Sequence, residues 1–314
     1  MAAQREVTVS GVSSGAYMAV QMHVAHSALV KGAAAIAGGP YYCAQGSLWT
    51  AYYNCMAPGA WTPLPPLRAL EADARGLARA GSIDPLADLA GAPVWLFSGT
   101  RDSTVLPEVV RALDNWYRAF DARTLLVADK PAGHAMVVEQ AKNACDATRP
   151  PYINDCDYDA AGELLKHLLG PLQPPAAPSG RLVAFDQEPF AGGDAAAVSL
   201  DATGWLYVPR SCEGGGCRVH VAFHGCQQGH EKVGDAFVAG AGYNRWADAN
   251  RLLILYPQAV ARDGWNVRSF SFVWNPKGCW DWWGYTGAGY ATKQGAQIRA
   301  VKAMLERLGE KPGR

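Results

Sequence analysis

The sequence predicts an α/β fold. Short apolar, β-branched runs alternate with helical patterns along most of the chain, as expected when strands and helices are layered. The 314 residues are 49% hydrophobic and 18% charged, which suits one large domain or two small ones. The stretch around which the rest is organised lies at residues 7–18, where a strand pattern ends in a glycine-flanked turn and a helical pattern begins.

The turn in this stretch matches the nucleophile-elbow pattern G-x-S-x-G. It is formed by Gly11-Val12-Ser13-Ser14-Gly15, and the motif requires a strand before it and a helix after it. Such a turn would hold the Ser13 hydroxyl above the sheet and aim the Ser14 amide at a developing oxyanion. Because the pattern is loose, a chance match is the alternative. The helix is expected to carry one apolar stripe, formed by Ala16, Ala19, Val20 and Val24.

Further elements are predicted in order up to residue 169. We expect a strand into a Gly-Gly turn over 31–39, an irregular surface excursion over 40–66, helices over 67–79, 109–119 and 157–169, and strands over 93–99 and 124–127. The strand at 93–99 is a continuous apolar run of the buried, parallel kind. Asp102 follows its end and would therefore lie at the carboxyl edge of the sheet, where open α/β sheets bind ligands.

Residues 171–180 are proline-rich and predict a semi-extended connector. Such a connector usually marks a domain boundary. More elements of an α/β sheet follow it, however, with strands expected over 181–185, 204–208, 219–223 and 252–256 and helices over 245–250 and 291–308.

The order of these elements indicates a circular permutation. In the α/β-hydrolase fold, the oxyanion-loop strand and about three others precede the nucleophile elbow. Here only residues 5–10 precede Ser13, and residues 181–256 would supply the missing strands. Chain ends often lie close together, so such a rewiring is tolerated. We therefore expect a single, circularly permuted α/β-hydrolase domain over residues 1–314, with the connector at 171–180 joining the former termini.

Three residues match the order Ser, Asp, His that this fold uses for its catalytic triad. They are Ser13, Asp102 and His134, each placed after a predicted strand. The alternatives are a turn-capping role for Asp102 and a loop position without function for His134. The rival residues, which follow buried strands less directly or lie on helices, are Asp84, Asp88, Asp114, Asp121, His23, His26 and His167.

A second signal is the run Val219–Gly229, a buried strand pattern that leads into His-Gly. This is where α/β-hydrolases place the second oxyanion donor. We expect the backbone amide of Cys226 to face that of Ser14 across the oxyanion. His224 is interpreted as structural, because the catalytic base follows the nucleophile in the order of this fold.

Residues 272–285 are rich in aromatic side chains, including Trp280, Trp282 and Trp283. If Cys226 pairs with Cys279, this stretch lies beside the oxyanion loop, and its indoles would form an apolar wall for a substrate. The alternative is ordinary core packing. We expect at least one of the three indoles to be exposed.

Eight cysteines, eleven tryptophans and twenty prolines are typical of an extracellular protein. Local pairing is one of about 105 connectivities, and it is favoured because each short loop closes with little rearrangement. The expected disulfides are Cys43–Cys55, Cys145–Cys156, Cys212–Cys217 and Cys226–Cys279. No signal peptide is visible, so we interpret the chain as a mature or engineered form of a secreted protein. No metal is expected, since no C-x2-C pair is present, and no cofactor is expected.

The composition also bears on partners. The formal net charge is zero, so no nucleic-acid partner is expected. No apolar run approaches the roughly 18 residues needed to span a bilayer, so no membrane partner is expected.

In combination, these motifs resemble secreted polyhydroxybutyrate (PHB) depolymerases whose catalytic domain is circularly permuted. The resemblance covers nearly the whole chain and is carried by Gly-Val-Ser-Ser-Gly-Ala-Tyr-Met at 11–18, Gly-Thr-Arg-Asp at 99–102, Gly-His at 133–134, His-Gly-Cys-Gln-Gln at 224–228 and Asn-Pro-Lys-Gly-Cys-Trp-Asp-Trp at 275–282. It implies a serine esterase that cuts poly(3-hydroxybutyrate) into oligomers and monomer, so the expected partner is a polyester polymer or oligomer. Separately, we expect the protein itself to be a monomer.

The resemblance also implies site residues. The triad would be Ser13, Asp102 and His134, with the amides of Ser14 and Cys226 as the oxyanion hole. Trp283 would line the substrate crevice, with Trp280 as a second candidate. Many family members carry a polymer-binding domain after a linker, whereas this sequence ends at Arg314, so adsorption to crystalline polymer is not implied.

Two other functions stay open at this point. A feruloyl or acetyl-xylan esterase is the nearest enzymatic alternative, because related secreted esterases share the His-Gly-Cys-x-Gln loop. A non-catalytic binding protein on a hydrolase scaffold is the second, and an intact triad argues against it.

Overall fold

The computed structural model describes residues 7–266 and 271–309. Within this part of the chain, eight strands form a central sheet. The part of the chain before the connector contributes four of them: β1 (Val7–Val12), β2 (Val30–Ile36), β3 (Pro93–Phe97) and β4 (Arg123–Val127). The expected start of the first strand at Arg5 lies outside the described residues.

The remaining strands of the central sheet come after the connector. Before the connector, three short strands form a small separate sheet: β5 (Met136–Val138), β6 (Asn143–Ala144) and β7 (Ile153–Asp155). The strands that complete the central sheet are β8 (Arg181–Asp186), β9 (Thr203–Val208), β10 (Arg218–Phe223) and β11 (Leu252–Tyr256). A two-stranded hairpin, β12 (Arg262–Asn266) and β13 (Ser271–Asn275), lies outside both sheets.

The strand order of the central sheet is β4-β3-β2-β1-β10-β11-β9-β8. Strands β4 to β11 in this order run parallel, and β9 and β8 add antiparallel pairings at one edge. The elbow strand β1 is therefore central, with β10 from beyond the connector as its direct neighbour. This is an α/β-hydrolase sheet whose first four strands in the usual order come last in the chain, so the expected circular permutation is confirmed.

Nine helices pack around this sheet in the described part of the chain: α1 (Ser14–Ala25), α2 (Leu48–Asn54), α3 (Leu67–Arg79), α4 (Pro107–Arg118), α5 (Ala160–Leu169), α6 (His230–Val233), α7 (Ala236–Gly240), α8 (Tyr243–Asn250) and α9 (Ala296–Gly309). The sheet has a hydrophobic core on each face: Leu96 of β3 belongs to one and Trp95 to the other. Among residues 7–266 and 271–309, every helix is too short or too polar to span a membrane.

Helix α1 differs from its predicted pattern. The sequence predicts one apolar stripe, yet all twelve residues of α1 are buried. The side that would face water is covered by the aromatic segment near residue 282. Tyr17 stacks on Trp282, and the Gln21 side-chain amide donates to the Asp281 carbonyl at 2.9 Å. A helix that is enclosed on all sides can carry apolar residues around its whole circumference. The predicted stripe therefore did not show which residues of α1 are exposed to solvent.

The excursion at 40–66 is more regular and more buried than predicted. It contains helix α2, whose first turn is capped by the Ser47 hydroxyl accepting the Thr50 amide at 3.2 Å. Tyr41 and Ala51 lie in the core. The short strands β5 to β7 and the hairpin β12–β13 are also absent from the sequence-based expectations, because elements of two to five residues give too weak a periodic signal.

The proline-rich connector has no regular secondary structure, as predicted. It nevertheless lies against the fold, because the Ser179 amide donates to the Asp248 carboxylate at 2.9 Å and the Ala176 amide donates to the Arg245 carbonyl at 3.0 Å. Both partners belong to α8. The strands that precede the connector and those that follow it pair in a single sheet.

Candidate active site

Ser13 occupies a strained turn between β1 and α1. Its backbone has φ 57° and ψ −122°, a conformation that non-glycine residues avoid and that is found at functional sites. The flanking glycines make this turn possible. A Cβ on Gly11 would lie 2.1 Å from the Gly15 carbonyl oxygen, and a Cβ on Gly15 would lie 2.4 Å from the His224 carbonyl oxygen. A larger residue at Gly11 would clash within the turn, and one at Gly15 would clash with the end of β10, so the geometry is that of a nucleophile elbow.

His134 and Asp102 form a hydrogen-bonded pair beside this turn. His134 Nδ1 lies 2.7 Å from Asp102 Oδ2, and the Asp102 side chain is 1% exposed. The other carboxylate oxygen accepts the amides of Thr104 and Val105 at 2.8 and 3.0 Å. Because both carboxylate oxygens of Asp102 accept hydrogen bonds, the carboxylate is held in place and orients the His134 imidazole through Nδ1. The other ring nitrogen, Nε2, is therefore available to accept a proton.

Four of the seven rival residues have other partners or surroundings in the described structure. Asp84 pairs with Lys293 at 2.6 Å, and Asp114 pairs with Arg118 at 3.0 Å. His23 and His26 are buried packing residues, and burial lowers the pKa of their imidazoles to about 3 and about 4.

Ser13 and His134 line the same cavity, which has a volume of about 320 Å³. Its walls are mainly apolar and come from parts of the chain that are far apart in sequence. The residues besides these two that shape its floor and sides include Val12, Ala51, Met56, Tyr152, Trp282 and Trp283. The cavity can therefore hold an uncharged, largely apolar molecule against the Ser13 hydroxyl.

Two backbone amides beside Ser13 and in the loop at 224–228 are candidates for binding an oxyanion. Around Ser13 and the loop at 224–228, the amides of Ser13, Gly225, Gln227 and Gln228 each donate to a protein acceptor. Among the described residues, the amides of Ser14 and Cys226 have no such acceptor. Ser14 begins α1, where a free amide and the helix dipole both favour a negative charge. Cys226 lines the cavity and Ser14 directly follows the lining residue Ser13, so the two amides remain candidates for binding a substrate oxygen.

Gln228 holds the loop at 224–228 and was not singled out from the sequence. Its side chain is fully buried. Its Oε1 accepts the Gly225 amide at 2.8 Å, and its Nε2 donates to the carbonyls of Tyr152 at 2.9 Å and Pro151 at 3.2 Å. The side chain thus uses one acceptor and both donors, and it fixes the amide that precedes Cys226 in the chain.

His224 has a structural role, as its position in the chain suggested. Its Nδ1 lies 2.7 Å from the Gly225 carbonyl, and its Nε2 accepts the Ala259 amide at 3.0 Å. Both ring nitrogens are therefore engaged by backbone groups. Complete burial lowers the pKa of this imidazole to about 4, so it stays neutral near pH 7 and has no nitrogen free to accept a proton from serine.

The three tryptophans of the aromatic segment take two different positions. Trp282 and Trp283 line the cavity. Trp280 does not: it is 0% exposed and packs against Phe223 and His224 beneath the site, with ring centroids 5.0 and 5.5 Å apart. The expectation that Trp280 contacts substrate is therefore wrong. The expectation of one exposed indole is wrong as well, because Trp282 and Trp283 are only 5% and 9% exposed.

A buried carboxylate fixes the turn that carries these indoles. Asp281 accepts the amides of Gly284, Tyr285 and Thr286 at 2.7, 3.0 and 2.8 Å, and the Thr286 hydroxyl at 2.5 Å. Burial raises the pKa of this carboxyl even though the four hydrogen bonds act in the opposite direction. The turn is consequently rigid, and it presents Trp282 and Trp283 at a defined position.

All eight cysteines lie in the described residues, and they pair as the sequence predicted. The disulfides are Cys43–Cys55, Cys145–Cys156, Cys212–Cys217 and Cys226–Cys279. The last joins segments 53 residues apart and ties the Trp-bearing segment to the oxyanion loop. It therefore determines how the aromatic wall sits relative to the amide of Cys226.

Exposed apolar side chains flank the cavity on two sides. Helix α2 contributes Leu48 and Tyr52 to the lining, and β13 contributes Trp274. Further exposed aromatic side chains lie on α2 and on the hairpin β12–β13. We call this set the aromatic rim: Leu48, Trp49, Tyr52, Tyr53, Trp265, Phe272 and Trp274. The sequence shows the aromatic richness of residues 272–285, but not that this stretch and α2 line the same cavity.

No protein-family model matches the sequence, whereas individual proteins do. A poly(3-hydroxybutyrate) depolymerase of Delftia acidovorans is 42% identical over 98% of this chain, which spans 60% of the length of that relative. A polyhydroxybutyrate depolymerase of Talaromyces funiculosus is 35% identical over 96% of this chain and 89% of its own.

Solved structures give the same result. The crystal structure of a PHB depolymerase from Penicillium funiculosum is 33% identical and superposes with a TM-score of 0.87, covering 98% of this chain and 96% of that one. A serine-to-alanine variant of a PHB depolymerase in complex with an R3HB trimer matches with the same TM-score, identity and coverage. The chain therefore belongs to the polyhydroxybutyrate depolymerase family, whose members are carboxylic ester hydrolases.

Proposed function

We propose that this chain is an extracellular serine esterase that hydrolyses poly(3-hydroxybutyrate) and its oligomers. The observation that carries the proposal is the joint placement of Ser13, on a strained elbow, and the His134–Asp102 pair around one apolar cavity. A serine hydroxyl needs a base to become nucleophilic, and the base needs an orienting carboxylate. All three groups are available in one place.

In the acylation step, Ser13 Oγ attacks the ester carbonyl carbon while His134 Nε2 takes its proton. The carbonyl electrons move onto oxygen, and the amides of Ser14 and Cys226 stabilise this oxyanion. When the intermediate collapses, the alcohol leaves with the proton from His134, and the acyl group stays on Ser13. Asp102 remains ionised and stabilises the imidazolium through Nδ1.

In the deacylation step, water replaces the alcohol. His134 Nε2 removes a proton from the water as it attacks the acyl carbon, and the same two amides bind the second oxyanion. Collapse breaks the bond to Ser13 Oγ, which recovers its proton from His134. The products are a 3-hydroxy acid or a shorter chain ending in a carboxylate, and the free enzyme.

The preference for an apolar polyester is supported by the surroundings of the triad. The cavity wall at Trp282 and Trp283 is apolar, and the aromatic rim offers a surface for a solid, uncharged polymer. The named activity of the relatives, and the R3HB trimer bound to one of them, fit the same substrate class.

Other aspects of the proposal concern the whole chain. We propose that residues 1–314 act as one catalytic domain, because strands on both sides of the connector share a sheet. Four disulfides favour an oxidising, extracellular location. The proposed active form is a monomer, since both triad and oxyanion donors come from one chain.

Clearing of a PHB suspension by the purified protein tests this function. We expect turbidity to fall and 3-hydroxybutyrate oligomers to appear, with a Ser13→Ala variant inactive on the same suspension. Release of ferulate or acetate from xylan esters, without clearing of PHB, would assign the protein to the carbohydrate esterases instead. Absence of turnover on every ester, p-nitrophenyl butyrate included, would leave a binding protein on a hydrolase scaffold.

A further inference from the structure

The cavity lining among the described residues carries a positive charge that no acidic side chain of the lining balances. Among the described residues that line it, Lys277 is the one with a permanently charged side chain, and no Asp, Glu or Arg accompanies it. Its side chain is exposed. Within the described residues, its ammonium group has no carboxylate within ion-pair distance and no hydrogen-bond acceptor. A cation at the edge of an apolar cavity is therefore available for a ligand.

The backbone holds Lys277 next to the oxyanion loop. Its carbonyl accepts the Gln227 amide at 2.7 Å, and Gln227 follows the proposed oxyanion donor Cys226. The turn around it is fixed, since Asn275 Oδ1 accepts the Cys279 amide at 2.9 Å and Nδ2 donates to the Cys279 carbonyl at 2.9 Å. The disulfide Cys226–Cys279 closes the arrangement.

Gly278 adds to this rigidity. Its φ of 60° lies in the left-handed region, and a Cβ there would lie 3.0 Å from the Ala261 amide nitrogen. The residue after Lys277 thus packs closely against the segment that leads into β12. The backbone of the lysine is therefore fixed, while its side chain is exposed to solvent.

The chemistry of the proposed substrate limits what a cation here would recognise. A polyester of 3-hydroxybutyrate has no charge along its length, and its single carboxylate lies at one chain end. The acyl part of a cleaved ester ends in a hydroxyl, whereas the alcohol part carries the carboxylate. A charge near the scissile ester therefore meets a carboxylate only on the leaving-alcohol side of a short, free-acid oligomer.

We propose that Lys277 forms a carboxylate-binding subsite for the leaving group of short hydroxy-acid oligomers. This inference rests on the proposed esterase function and extends it, because it names the substrate form that the site distinguishes. Dimers and trimers with a free carboxylate gain an ion pair that long polymer and end-capped oligomers lack. The same subsite would bind the hydroxy-acid product.

The test compares a free-acid 3-hydroxybutyrate trimer with its methyl ester. For wild type, kcat/KM should be higher for the acid, and Lys277→Met should lower the acid-to-ester ratio by roughly 3- to 10-fold, the size of a partly exposed ion pair. Lys277→Arg should retain the preference, and Lys277→Glu should reverse it. The ratio cancels any general effect of these substitutions on catalysis or folding.

Lys232→Met is the matched control, because Lys232 is an exposed lysine outside the cavity that pairs with Glu231. It should leave the ratio as in wild type, and added salt should reduce the wild-type ratio. Equal ratios in wild type and Lys277→Met, with both trimers cleaved, would overturn the subsite and leave the esterase function intact. Failure of wild type to cleave either trimer would overturn both.

Discussion

The ring of Tyr17 stacks on the indole of Trp282, with ring centroids 4.0 Å apart and 15° between the planes. Tyr17 lies one turn after Ser13 on α1, and Trp282 lines the cavity. The Tyr17 hydroxyl also donates to the Cys55 carbonyl. This one side chain therefore connects the elbow helix with the aromatic wall and with the disulfide-bonded segment that carries α2.

The first prediction concerns the aromatic wall. Trp283→Ala should reduce kcat/KM for oligomers by roughly 10- to 100-fold, since an indole buried against the chain contributes about 1–3 kcal/mol. Hydrolysis of p-nitrophenyl acetate should fall much less, because this small ester does not reach the wall. Steady-state kinetics on both substrates measure the difference.

Trp280→Ala provides the comparison. This indole packs beneath the site without reaching the cavity, so its loss should cost about 3–5 kcal/mol of unfolding free energy. When rates are expressed per folded molecule, Trp280→Ala should change the hydrolysis of oligomers and of p-nitrophenyl acetate by the same factor. A Trp283→Ala variant with equal losses on both esters would show that Trp283 supports the fold rather than binding substrate.

The second prediction concerns Gln228. Gln228→Leu should lower kcat on small and large esters alike, by roughly 10- to 100-fold, while KM changes little. The Gly225 amide would lose its acceptor, and the amide of Cys226 would no longer be held toward the oxyanion, a group whose loss costs about 10^2 to 10^3 in kcat.

Gln187 is the matched control, because it is also a fully buried glutamine with hydrogen bonds to backbone groups of Asp201 and Gln258. It lies outside the cavity lining. Gln187→Leu should destabilise the protein and leave kcat per folded molecule as in wild type. If both variants lose kcat equally, Gln228 has no special relation to the oxyanion.

The third prediction concerns the disulfide Cys226–Cys279. It closes the longest loop of the four and should stabilise the fold by about 4 kcal/mol in the chain-entropy account. Its reduction should lower activity before global unfolding, because it also holds the oxyanion loop. The double variant Cys212→Ser/Cys217→Ser removes a disulfide that joins residues only five positions apart and lies outside the cavity. It should remain active. Simultaneous loss of activity and fold on titration with reductant would contradict this role.

The fourth prediction concerns pH. Burial lowers the pKa of His220 to about 3 and of His224 to about 4, whereas an unfolded histidine titrates near 6.5. Below about pH 6.5 the unfolded chain binds protons that the folded protein does not, so stability is present above this pH and is lost on acidification, by about 1.4 kcal/mol per pH unit and residue. Denaturant titrations between pH 7.5 and pH 4.5, about the window set by these pKa values, measure the slope.

His220→Gln should reduce the slope of the unfolding free energy against pH by the contribution of one proton, about 1.4 kcal/mol per pH unit. The imidazole is bonded to Thr8 at 2.8 Å and Ser10 at 2.7 Å beneath the elbow, so the variant is less stable at neutral pH but less sensitive to acid. Denaturant titrations of His220→Gln beside wild type over the same pH range measure the change in slope. A wild-type protein that gains stability on acidification would contradict the assignment.

The central sheet and the triad candidates were predictable because their signals are strong and local. The runs at β1, β3 and β10 are mainly apolar, and each leads into a loop that carries candidate site residues. The permutation followed from counting strands before Ser13. By contrast, the burial of α1 on every side depends on Trp282, which is 265 residues away from Tyr17, and no pattern within the helix reveals it.

The positions of several side chains at the site could not be predicted from the sequence for the same reason. Trp280, Trp282 and Trp283 are indistinguishable by composition, and their positions are decided by the turn around Asp281, which only the folded chain forms. Gln228 matches a shared motif, but its hydrogen bonds reach Pro151 and Tyr152, on a distant loop. Side chains whose role depends on such long-range contacts need the structure.

The most direct test of the central claim is covalent labelling of Ser13. A phosphonylating organophosphate reacts with a serine that a histidine activates, and peptide mass spectrometry locates the adduct. We expect stoichiometric labelling of the peptide containing Ser13, parallel loss of esterase activity, and no labelling in Ser13→Ala. A folded protein that hydrolyses esters while the label appears elsewhere, or a Ser13→Ala variant that keeps its activity, would contradict the proposed mechanism.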